Sequence, residues 1–135
     1  MQPENAIPQA ASSTGNLVSM PESSAQLDLE SEVVQLHDSP EWSTGVARKV
    51  LIRYPDLQIT LRIMKAHTRI PEHHNPGRIC VQTVAGHIRM HADGQVFDLS
   101  KGKVLVLDRA ITHDVEALEE SAFLLTVAYP ENALQ

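Results

Sequence analysis

Cysteine occurs once in the 135 residues, as Cys80, so no disulfide can close within the chain, and a reducing compartment is the expectation. Aromatic residues are almost as scarce. One tryptophan, two tyrosines and two phenylalanines leave the interior to aliphatic side chains. No cluster of Lys and Arg interrupts a net charge of −6, which repels phosphate backbones and anionic lipid, so nucleic acid is not an expected partner. The longest apolar runs, such as KVLVL and AFLLTVA, fall far short of the roughly 20 residues that span a bilayer, and the N-terminus lacks a basic stretch followed by an apolar one. A cytoplasmic protein with no membrane partner is expected.

What the chain does hold is 42% hydrophobic and 21% charged residues, the balance of a globular domain, in a length suited to one core. Residues 1–26, rich in Ser, Pro, Gln and Asn without an apolar period, read as a mobile tail. Residues 27–47 form a transition in which Val33–Leu36 suits a short strand and a Pro and Gly loop carries Trp42. A β-barrel domain is expected over residues 48–135. In LQITLRIM, the residues Leu57, Ile59, Leu61 and Ile63 alternate with Gln58, Thr60 and Arg62, the period expected when one face meets a core and the other meets water. Further short strands follow, separated by turns such as Asp93-Gly94, which suits a tight hairpin. Strands every eight to twelve residues or so leave no room for crossover helices and argue for an all-β antiparallel sandwich or barrel.

The order of motifs resembles that of the cupin family, small jelly-roll β-barrels. HHNPGRICVQTVAG is similar to that family's first motif and GKVLVLDRAITH to its second, with Gly86, Gly102 and His113 at matching places. The resemblance covers residues 48–130 or so and implies a cupin-type jelly-roll barrel. For the family's metal site it implies His73 and His113 as ligands. The second histidine position holds Asn75 and the glutamate position holds Ile79, and the Pro-x-Gly turn reads Asp108, Arg109, Ala110.

A catalytic metal needs about three protein ligands and an open position. His73, Asn75 and His113 offer two nitrogens and an amide oxygen without negative charge, and one divalent Fe, Mn, Ni or Zn ion is the cofactor they would take. The bland alternative makes His73 and His113 hydrogen-bonded pocket histidines with no metal. The expected pocket comprises His73, Asn75, Ile79, Thr83, His91 and His113, with Thr83 inward beside Ile79 and Val81 by strand alternation. Asp114, Glu116, Glu119 and Glu120 read as a solvated edge. No phosphate loop, nucleophile elbow or Cys-x-x-Cys is present.

Two functions stay open. One is a small-molecule-binding or sensing cupin without turnover. The other is a metal-dependent enzyme of dioxygenase or isomerase type. A homodimer is expected, the early strand pairing with the other subunit's sheet edge.

Overall fold

The computed structural model describes residues 23–129. The expected tail falls mostly outside the described residues, which begin at Ser23. From Leu29 to His37 the chain forms helix α1 and not the strand expected at Val33–Leu36. The reason lies in spacing: Leu29, Val33 and Leu36 recur at intervals of four and three, which puts them on one helical face. Asp28 caps the start, its side chain accepting from Ser31 N at 3.2 Å, and Glu30 and Glu32 sit in the first turn where the helix dipole favours them. Pairing of an early strand with a partner's sheet edge, one ground for the expected homodimer, is removed by the helix. A 3-10 turn over Pro40–Thr44 follows, ending at Gly45.

The remaining described chain is antiparallel strand: β1 (Val46–Tyr54), β2 (Leu57–Met64), β3 (Arg69–His73), β4 (Arg78–Ala85), β5 (His87–Ala92), β6 (Gln95–Ser100), β7 (Val104–Leu107), β8 (His113–Ala117) and β9 (Ser121–Ala128). They form a five-stranded sheet in the order β1-β2-β9-β4-β7 and a four-stranded sheet in the order β3-β8-β5-β6. Asp93 and Gly94 both take positive φ, 55° and 71°, closing the two-residue hairpin between β5 and β6.

Two apolar clusters hold this together. Between the sheets lie Met64, Ile79, Val81, Ile88, Met90, Leu107, Val115, Phe123 and Val127, among others. On the outer side of the five-stranded sheet, Leu61, Ile63, Ala47, Leu51, Ile52 and Ala122 pack with Leu36, and Leu29, Val33 and Trp42 lie against them. Helix α1 therefore lids the sheet from outside.

That second cluster reverses the expected faces of β2. Leu61 and Ile63 point outward to the helix, while Met64 belongs to the inter-sheet cluster. By alternation Thr60 and Arg62 share the inward face with Met64. Thr60 is only 2% exposed, although its face was expected to meet water.

Candidate functional site

His73 ends β3 and His113 begins β8, and the antiparallel register sets the two residues directly opposite each other after a shift between Ile70 and His73. Their rings lie 4.3 Å apart between centroids with planes at 64°. Each ring is anchored in the same way. His73 Nδ1 donates to Pro71 O at 2.9 Å, and His113 Nδ1 donates to Ile111 O at 2.9 Å. A carbonyl only accepts, so both rings carry a proton on Nδ1, and in its neutral form each ring presents a lone pair on Nε2.

Val115 and Ala117 belong to the inter-sheet cluster, so alternation along β8 turns His113 inward and Asp114 outward. His113 is 4% exposed. Burial lowers its pKa below the ordinary 6.5, the Ile111 carbonyl opposes this, and His73 lowers it further. A nearly neutral imidazole is the result at physiological pH.

The other expected site residues have different duties. Asn75 Oδ1 accepts from Gly77 N at 3.0 Å, and Asn75 O accepts from Ala110 N at 2.9 Å. Asn75 thus shapes its own turn and ties it to the loop before β8. Ile79 is buried in the inter-sheet cluster. Thr83 is buried on the same face of β4, with its hydroxyl donating to Leu99 O at 2.9 Å, which links the two sheets and occupies its proton.

His91 is not a pocket residue. Met90 and Ala92 take the inward positions of β5, so His91 projects from the outer face, exposed, with Nδ1 2.8 Å from Asp114 Oδ1. Asp114 also departs from expectation: it is 3% exposed and receives Arg69 Nη2 at 2.7 Å and His91 N at 3.0 Å. Its burial raises the carboxyl pKa, but the hydrogen bonds from Arg69 and His91 outweigh this and hold it below the usual carboxylate range.

A divalent transition metal would meet two neutral imidazoles here. The oxygen of Asn75 is engaged by Gly77, and the carboxylate position is Ile79. Among the described residues no three His, Cys, Asp or Glu side chains are grouped to share an ion. The donor set does not fit a resident metal, which needs about three ligands, usually with charge among them.

Reasoning from the sequence missed the inward stripe of β2 and its neighbour β1. Gln58 Nε2 donates to Thr60 Oγ1 at 3.4 Å, and Arg62 follows two positions on. Arg48 stands opposite Arg62 in the β1–β2 register. The signal that could have found this stripe was the helical spacing of Leu29, Val33 and Leu36, which provides a second cover for the apolar face of β2.

No family model matches the chain, and no curated protein matches it. Among solved structures, a conserved protein of unknown function from Streptococcus pyogenes is 25% identical over 84% of this chain and 94% of its own, with a TM-score of 0.67. A cupin superfamily protein from Desulfitobacterium hafniense is 19% identical over 82% of this chain and 95% of its own, also with a TM-score of 0.67. The chain has the fold of a small cupin. A salicylate 1,2-dioxygenase variant from Pseudoaminobacter salicylatoxidans shares the cupin fold at 17% identity, over 73% of this chain and 31% of its own, with a TM-score of 0.61. Within that fold, the His73 and His113 rings lie 4.3 Å apart between centroids where β3 ends and β8 begins.

Proposed function

We propose that this cupin binds a small polar molecule between its sheets, against His73 and His113, and that it does so without a resident metal. The observation that supports this reading is the matched anchoring of the two rings through Nδ1, which leaves both Nε2 atoms free on rings whose centroids are 4.3 Å apart, with no third His, Cys, Asp or Glu grouped with them among the described residues. Two neutral acceptors side by side favour a ligand carrying hydroxyl or other donor groups. The same pair becomes a pair of donors when protonated.

The second reading, a metal-dependent enzyme of dioxygenase or isomerase type on His73, Asn75 and His113, draws on the same Nδ1 anchoring, because a ligating histidine also has its other nitrogen fixed by a carbonyl or carboxylate. Its weakness is the missing charge. The test of the first reading is a thermal-shift screen of small polar metabolites on wild type, His73→Ala and His113→Ala. A ligand at one hundred times its Kd adds about 2.7 kcal/mol to stability. The expected outcome is a compound that raises the wild-type unfolding midpoint and fails to raise that of either variant. A screen in which every active compound acts equally on all three proteins contradicts the reading.

A further inference from the structure

Four arginines among the described residues stand outside the ion pairs found there: Arg48, Arg53, Arg62 and Arg109. Three are exposed, and Arg62 alone is partly withdrawn from water. A guanidinium taken from water without a carboxylate is costly, and a protein with 17 acids has no shortage of partners. Its cross-strand neighbour makes matters worse. Arg48 lies directly opposite in the register, and like charges in that position repel. Burial and the charge of Arg48 both lower the Arg62 pKa, with Glu41 of the 3-10 turn opposing them from beyond ion-pair distance.

We propose that Arg62 and Arg48 form a binding site for the carboxylate or phosphate group of a small molecule on the inward face of β1 and β2. Two guanidinium forks on adjacent strands, about 5 Å apart at their β-carbons, suit an oxyanion that accepts from both. Thr60 is next on the same face of β2. Its oxygen already accepts from Gln58, so its hydroxyl proton is left for an acceptor. The site goes beyond the ligand reading given above and does not depend on the imidazoles. Arg62 is two residues from Met64 and the turn into β3, whereas His73 lies at the far end of β3.

The test is calorimetric titration of inorganic phosphate and of malonate, at low ionic strength, into wild type, Arg62→Gln, Arg62→Lys and His113→Ala. Saturable binding of at least one anion is expected for wild type, and the preferred anion distinguishes phosphate from carboxylate. Losing a charge-assisted bidentate contact weakens binding about tenfold or more in Arg62→Gln, while Arg62→Lys keeps part of it. His113→Ala keeps anion binding intact, so failure here and failure of the imidazole reading are separable. Without anion, Arg62→Gln unfolds at a midpoint no lower than wild type, because a repulsion has been removed. No saturable binding by wild type overturns the proposal, as does equal anion binding by Arg62→Gln. A lowered midpoint with unchanged anion binding marks Arg62 as structural and overturns it too.

Discussion

At the scale of single residues, which nitrogen of each histidine is engaged decides what the pair can bind. Because the His113 ring is buried beside His73, protonation is disfavoured in the folded state, against the opposing pull of the Ile111 carbonyl on Nδ1. The sign follows from linkage: a depressed folded pKa contributes stability that is complete above the unfolded value of about 6.5 and is lost as pH falls through the folded value. A histidine NMR titration is expected to place His113 below 6.5, and replacing it with Gln should remove that part of the acid sensitivity. A His113 titration above 6.5 contradicts the burial argument. Asp114 acts in the same direction at lower pH, since its carboxyl is held below the ordinary value of about 3.9 and its stabilisation disappears as it protonates. Asp114→Asn gives up charge-assisted bonds from Arg69 and His91 and is expected to cost about 1–3 kcal/mol in urea unfolding at neutral pH. A cost near zero would return Asp114 to the solvated edge that sequence alone suggested. That reading failed because a short acid in an acidic stretch carries no mark of the arginine 45 positions away.

At the scale of elements, β2 and α1 explain each other. The strand was legible from its alternation, but alternation does not say which face meets which cover. Leu61 and Ile63 go to the helix, which hands the interior to Thr60 and Arg62. Val33–Leu36 was misread because three aliphatic residues in four, two of them β-branched, look like a strand when taken alone; the period emerges only from Leu29 onward. Removing the helix's buried anchor, Leu36→Ala, is expected to cost about 2–3 kcal/mol, and Asp28→Ala about 1 kcal/mol through the lost cap, both read from denaturant midpoints. If Leu36→Ala leaves stability unchanged, the outer cluster does not hold the helix.

At the scale of the whole molecule, the jelly roll was the most legible feature, because turn residues recur at strand spacing and the motif glycines sit at structural corners. Gly86 shows why. Its φ is 79°, and a β-carbon there would collide with Glu120 O and Ser121 Oγ, at the corner where β4 turns into β5 beside β9. Gly86→Ala is expected to destabilise by well over the ~1–2 kcal/mol that a left-handed residue alone costs, with the unfolding midpoint reporting it. The convergence of His73 and His113 was legible from motif order, whereas the outward turn of His91 and the engagement of Asn75 by Gly77 depend on strand phase and local turn geometry that spacing does not encode.

Metal content decides most directly between a ligand-binding barrel and a metal centre. Protein prepared without a histidine tag, incubated with iron, manganese, zinc or nickel and then desalted, is expected to retain less than about a tenth of an equivalent, since two neutral imidazoles fall short of the roughly three ligands a stable site requires. Retention of about one equivalent, lost in both His73→Ala and His113→Ala, would contradict the account.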